Sequence, residues 1–261
     1  ERSKVVLFRR AIRRAARDAA VVVCPSRVTA EALGRWCTVE AEVVVAPHGV
    51  DTDRFRPDEP STGSDAALLA TIDGRLASGR PLLVFVGTLE PRKDVPTLVR
   101  AFSSIAARQP EALLVLAGGR GWGADDVEAA VAASGLGDRV VRTGYVDDAA
   151  IPALLRSATA AVYPSLYEGF GLPALEALAC GATLVTTSGT AMEEVAGASA
   201  VLFPPGDGGA LADVLDAELT GRGDDRAASK RRSLGFDIVE RHTWQASADI
   251  HVAAYRTAAG G

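Results

Sequence analysis

Two glutamates, Glu168 and Glu176, stand at either end of EGFGLPALE within residues 164–181, PSLYEGFGLPALEALACG. Pro173 suits the first position of a helix, where its missing N–H costs nothing. Gly181 suits the residue just past the end. The spacing predicts a helix over residues 173–180, with Glu168 in the loop before it and Glu176 on its first turn. Gly169 and Gly171 leave that loop's backbone bare, so a ligand can approach N–H groups at the helix's positive end. Such a place suits a phosphate or a polyol. Carboxylates would repel the phosphate, and their better task is to accept hydrogen bonds from sugar hydroxyls. The phosphate needs cations, and EPRKD offers Arg92 and Lys93 on another loop. Two acids, two cations and glycine loops together suit ribose, diphosphate and hexose in one molecule. Each feature also has a plainer reading. Glu176 would suit a helix dipole, and the glycines could simply make a tight turn; only their convergence points to a ligand.

The elements that must position these residues alternate regularly. PLLVFVG is a near-continuous apolar run, as expected of a strand covered on both faces. DVPTLVRAFSSIAARQ follows as a helix with Val95, Leu98, Val99, Phe102 and Ile105 at helical spacing. ALLVLAGG reads as a strand, ADDVEAAVAASG as a helix ending on glycine, RVVRTGYV as a strand and loop, and DDAAIPALLRSA as a helix. AAVYPS, ATLVTTS and AVLFPPGD read as further strands, MEEVAG and GGALADVLDAEL as helices. This alternation predicts an α/β fold, a Rossmann-like doubly wound parallel sheet. Such sheets bind ligands beyond the carboxyl ends of their strands, which singles out GTLEPRKD, GGRGWG, TGYVDD and SLYEGFG.

Residues 1–47 read as the tail of a second α/β domain: helix, strand AVVVCPS, helix RVTAEALGRW with Ser26 as its N-cap, strand EVVVAP. The chain opens without an initiator Met and in mid-helix, so further sequence is expected before it. Residues 48–80, rich in Pro, Gly and Asp at their start, read as an interdomain linker. Residues 81–243 read as the ligand-binding Rossmann-like domain and 244–261 as a C-terminal helix. TGRGDDRAASKRR reads as an exposed, partly helical connection.

Composition narrows the function. The net charge of -5 argues against a nucleic-acid surface. Cys24, Cys37 and Cys180 are an odd, sparse set that fits buried thiols in a reducing, cytoplasmic compartment and lacks metal-ligand spacing. Five arginines on the opening helix (Arg9, Arg10, Arg13, Arg14, Arg17) read as a solvated face rather than a membrane-binding one.

PSLYEGFGLPALEALACGATLV resembles the Glu-x7-Glu signature of retaining glycosyltransferases of family 4, also called group 1, which have the GT-B fold. VGTLEPRKDVPTLVRAF, LVLAGGRGWG and APHGVDTDRF resemble the same family in the same order, over about residues 15–218. GTLEPRK with GGRGWG is similar to a subgroup with many mannosyltransferases and related bacterial polysaccharide or glycolipid enzymes.

The resemblance implies metal-independent transfer of a hexose from a nucleotide-sugar donor, such as GDP-mannose or a UDP-sugar, with retention. It implies no cofactor, and an acceptor that is lipid-linked or saccharide. Glu176 would bind the ribose hydroxyls, and Glu168 would face the transferred sugar near its C3 and C4 hydroxyls. The backbone of Gly169, Phe170, Gly171 and Leu172 would contact sugar and phosphate. Arg92 and Lys93 would neutralise the diphosphate, Tyr145 and Val146 would read the base through backbone groups, and Gly87 would let its loop approach the phosphates. Many members carry an Arg directly after that glycine; here it is Thr88. The acceptor site belongs to the N-terminal domain, as does any peripheral attachment to the inner face of a membrane.

The family reading of the chemistry is front-face attack, in which the leaving diphosphate takes the acceptor's proton and Glu168 is not a nucleophile. The competing classes are a non-catalytic nucleotide-sugar-binding module and a GT-B nucleotide-sugar epimerase. A phosphorylase would need a cofactor lysine, and none can be pointed to. A dinucleotide dehydrogenase fits poorly, because no G-x-G-x-x-G follows PLLVFVG. Asp51-Thr52-Asp53 has the form of a metal-binding DxD but reads as a turn, and His48 as a contact near the cleft.

Overall fold

The structure, a computed structural model, describes residues 2–57, 64–221 and 225–260. Its larger part is a six-stranded, wholly parallel sheet in the order β5-β4-β3-β6-β7-β8. The strands are β3 (Leu82–Val86), β4 (Leu113–Ala117), β5 (Val140–Gly144), β6 (Ala160–Tyr163), β7 (Leu184–Thr187) and β8 (Ala200–Phe203). Alternation along β3 decides which core each side chain joins. Leu83 and Phe85 pack with Leu98, Val99, Phe102 and Ile105 of helix α4 (Val95–Ile105). Leu82 and Val84 face the other way, onto Leu69 of α3 (Ser64–Ile72) and Leu154 of α6 (Ile151–Ser157). Both faces are covered, which is why the strands read as unbroken apolar runs.

The chain leaves β3 outward through β4 and β5, then returns to lay β6 against the other side of β3. The direction of winding therefore reverses between β3 and β6. A crevice opens at such a reversal, beyond the carboxyl ends of the strands, and is where open α/β sheets bind ligands. The loops after β3 and β6 border it.

The first part of the chain holds α1 (Arg2–Asp18), a parallel pair β1 (Val21–Cys24) and β2 (Glu42–Val45), and α2 (Arg27–Trp36). Ser26 caps α2, as its position predicts: its hydroxyl accepts from Thr29 N–H. The last helix, α11 (Trp244–Ala258), packs back against β1. Gly49 makes that return possible, since a Cβ there would lie 2.1 Å from the backbone nitrogen of Trp244.

Two segments are more ordered than the sequence suggests. Within residues 48–80, where a linker is expected, α3 forms and buries Leu69; residues 58–63 of that stretch lie outside the described residues. The charged connection leads directly into α10 (Asp225–Arg241), residues 222–224 lying outside the described ones. Gly235 and Val239 of α10 are buried, and Gly235 leaves room for Leu178 of α7 (Leu172–Ala179). Among the described residues no helix is long and apolar enough to cross a membrane.

Candidate functional site: a charged crevice between two post-strand loops

Helix α7 starts one residue earlier than its proline suggests, with Gly171 as N-cap at φ +109° and Pro173 in its first turn. Gly181 follows its end at φ +72°. No other residue suits position 171. Its φ lies where side chains strain, and a Cβ would stand 2.9 Å from Met192 Cγ. Gly171→Ala is accordingly expected to lower stability by about 1–2 kcal/mol, measured as a shift in urea midpoint at unchanged slope.

The loop after β3 turns through a short 3-10 segment at Pro91–Lys93, with Asp94 in the left-handed region at φ +45° before α4 begins. This turn places Arg92 and Lys93 against the loop after β6, where Leu166 N–H donates to Arg92 O at 2.8 Å. Glu168 sits between both cations. Arg92 Nη1 reaches its Oε2 at 2.5 Å, and Lys93 Nζ reaches its Oε1 at 3.0 Å. Ser165 Oγ donates to the same Oε1 at 3.0 Å. Glu168 is 7% exposed and Lys93 6%, so this is a charge pair withdrawn from water. Arg92 is more open and also holds Glu90 Oε2 at 2.9 Å. Burial alone would lower the Arg92 guanidinium, but Glu168 and Glu90 outweigh it and hold it above its ordinary value.

Of the two expected acids only Glu168 meets the cations, and it partners both. Gly87 lies against Lys93, at φ +150°, where a Cβ would stand 3.3 Å from Lys93 Nζ. Thr88 turns its methyl toward the neighbouring glycine loop, so that a Cβ at Gly121 would meet it at 2.9 Å. The loops after β3 and β4 are pressed together there by a Leu89–Arg120 bridge.

Glu176 lies apart from the trio. Partial burial pushes its carboxyl up to about 7; Arg54 opposes this and Asp148 adds to it. Arg54 comes from the stretch read as linker and donates to Asp148 O at 2.5 Å, its Nη1 3.7 Å from the Asp148 carboxylate. Tyr163 is fully buried, and among the described residues nothing partners its hydroxyl. Burial raises its pKa, and Glu176, Cys180 and Glu168 raise it further.

Tyr145 is 77% exposed and Val146 buried; with Leu68, Thr71 and Ile72 of α3 they line a cavity of about 360 Å³. Phe170 is buried against His48, ring centroids 4.9 Å apart, so His48 is a packing contact of the glycine loop. Asp51 accepts from the N–H groups of Asp53 and Arg54 at 3.1 and 3.2 Å, the turn role its position suggests. Among the described residues no three His, Cys, Asp or Glu side chains gather as a metal site. A larger groove, about 690 Å³, lies between α4 and α5 (Ala124–Ser134), lined by Pro96, Arg100 and Ala130 among others. It holds none of the residues singled out above.

Sequence reasoning missed Ser165, Glu90, Arg54 and Asp148. Only Ser165 and Glu90 carried a local signal, lying three and two positions from Glu168 and Arg92. It also missed the contacts that the first part of the chain makes with the glycine loop. Ser26 Oγ and Thr29 Oγ1 both donate to Gly169 O, and Glu194 of α8 (Ala191–Ala196) accepts from the first N–H groups of α2.

Known proteins resemble this chain in both sequence and fold. Residues 72–233 match the family model described as glycosyl transferases group 1, and residues 2–54 that of glycosyltransferase family 4. The chain is 33% identical over 178 residues to the O-antigen chain mannosyltransferase B of Escherichia coli, covering 66% of this chain and 45% of that protein. It is 30% identical over 257 residues to the GDP-mannose-dependent alpha-(1-6)-phosphatidylinositol monomannoside mannosyltransferase of Mycolicibacterium smegmatis, covering 93% and 63%. Sucrose-phosphate synthase from Thermosynechococcus elongatus has a similar structure: TM-score 0.79, 27% identity, 98% of this chain and 61% of that one covered. The chain spans about half the length of the curated relatives it matches.

Proposed function

Because this chain belongs to the group 1 glycosyltransferases, we propose that its β3–β6 crevice binds a nucleoside-diphosphate sugar. In the whole protein that hexose passes to an acceptor hydroxyl with retention of configuration. The observation that carries this reading is Glu168, buried at the mouth of the glycine loop and held by Arg92 and Lys93 from the loop opposite.

A carboxylate offers about four acceptor positions. Arg92, Lys93 and Ser165 take three, which leaves one for a sugar hydroxyl. Fixed so, Glu168 is a poor nucleophile and a good orienting group, in keeping with front-face transfer. Arg92, the more open cation, is placed to turn to an incoming diphosphate while Lys93 stays on Glu168. The charge growing on the leaving diphosphate is then met by Arg92 and by the N–H groups at the start of α7, a preorganised arrangement. Glu176 takes the ribose, and the Tyr145–Val146 backbone takes the base. GDP-mannose is the favoured donor, since the Mycolicibacterium smegmatis relative is GDP-mannose-dependent; a lipid-linked or saccharide acceptor fits the same group. The donor is a substrate, and no cofactor or metal is assigned.

Arg92→Ala tests the phosphate assignment. A charge-assisted hydrogen bond is worth about 1.5–3 kcal/mol, so affinity for GDP or UDP should fall about tenfold or more in calorimetric titration. Affinity for the corresponding nucleoside should stay unchanged. Equal losses for both would remove Arg92 from the diphosphate.

A further inference from the structure

The geometry points to a positioning clasp: Thr29 and Ser26, in the first part of the chain, orient the Gly169–Phe170 peptide of the glycine loop toward the transferred sugar. This rests on the donor-binding reading above. Ser26 Oγ donates to Gly169 O at 2.6 Å, and Thr29 Oγ1 donates to the same oxygen at 2.7 Å. Two hydroxyls fill both lone pairs of that carbonyl. The helix that Ser26 caps and Thr29 lies on is itself fixed to α8. Glu194 accepts from the N–H groups of Arg27 and Val28 at 2.8 and 2.9 Å, and Arg27 Nε lies 3.5 Å from the same carboxylate. An acid at a helix N-terminus adds favourable electrostatics to those bonds.

The consequence falls on the other side of the peptide. A trans peptide sets its C=O and N–H in opposite directions, and none here is cis. Gripping Gly169 O against α2 therefore aims the Phe170 N–H away from α2. Among the described residues nothing accepts a hydrogen bond from it. The Phe170 ring, buried against His48, keeps the next residue from turning. Left to its two glycines, this loop could swing; its direction is set instead by an element more than a hundred residues away in sequence. The Phe170 N–H then meets the sugar, so the clasp acts on the hexose and not on the nucleotide.

Thr29→Val removes one hydroxyl without touching the Ser26 cap, and Thr29→Ser restores it. GDP, UDP, GDP-mannose and UDP-glucose are titrated calorimetrically into the unaltered chain and both variants, with thermal unfolding recorded for each. Thr29→Val should bind the preferred sugar nucleotide about three- to tenfold more weakly, the worth of one hydrogen bond. Its affinity for the matching nucleoside diphosphate should not change, and Thr29→Ser should behave like the unaltered chain. Unchanged sugar-nucleotide affinity in Thr29→Val, or an equal loss for diphosphate and sugar nucleotide, overturns the clasp while leaving donor binding intact. An unaltered chain that binds none of the four overturns the donor reading itself, and the clasp with it.

Discussion

Replacing Glu168 by alanine is expected to lower folding stability by about 3–5 kcal/mol, because it leaves a buried ammonium without its counter-charge. Lys93 and Glu168 side chains are 7% and 9% exposed, so water cannot stand in for the missing carboxylate. The pair as a whole need not stabilise the fold, since taking two charges out of water offsets most of their attraction. The loss comes from breaking it on one side. Glu168→Ala combined with Lys93→Met should therefore recover most of the stability lost by Glu168→Ala alone. Arg92, which is open to solvent and keeps Glu90, should contribute little to the difference. Urea unfolding of the single and double variants measures the coupling directly. A Glu168→Ala loss under about 1 kcal/mol would mean that the trio is not the buried charge lock described here.

The second large effect is a pH dependence centred on Glu176. Its carboxyl is raised from an ordinary 4.5 to about 7, so the folded chain holds this proton more tightly than the unfolded chain does. The stability it contributes is fully present below about pH 4.5 and is lost as pH rises through about 7. The shift corresponds to about 3 kcal/mol. Glu176→Gln, which cannot ionise, should lack that decline, and denaturant titrations across this window will show it. Donor binding runs the other way. Only the ionised carboxylate accepts from both ribose hydroxyls, so affinity for a sugar nucleotide should rise about tenfold between about pH 6 and pH 8. Glu176→Gln should bind weakly and flatly over the same range. A pH-independent affinity in the unaltered chain would take Glu176 out of the ribose site.

Why some of this was legible in the sequence and some was not follows from range. The strands around Leu82–Val86 and Leu113–Ala117 announced themselves because burial on both faces leaves no polar alternation to misread. Pro173 and Gly181 bracketed α7 to within a residue, since backbone conformation is a local demand. Helix α3 escaped because it follows a Pro- and Gly-rich stretch, and what stabilises it is the docking of Leu69 against the sheet. The start of α10 read as only a partly helical, exposed connection because of its charge, although Arg231 finds Glu218 and Gly235 sits against Leu178.

At the site, the sequence showed which residues could do chemistry but not how they are paired. Arg92 and Glu168 are 76 positions apart, and only the return of β6 to the side of β3 brings them together. Arg54 and Asp148 could not be seen to act on Glu176, because one lay in a stretch read as linker and the other in a loop read for its backbone. The hydroxyls on Gly169 O come from an element that had been assigned to the second domain.

The location of the binding crevice is most directly tested by amide NMR of the chain titrated with GDP and with UDP. The N–H signals of Gly87, Gly171 and Leu172 should shift saturably with at least one of the two, and in step with one another. Shifts confined to residues elsewhere, such as Arg100 and Ala130 in the groove between α4 and α5, or no saturable shift with either nucleotide, would contradict it.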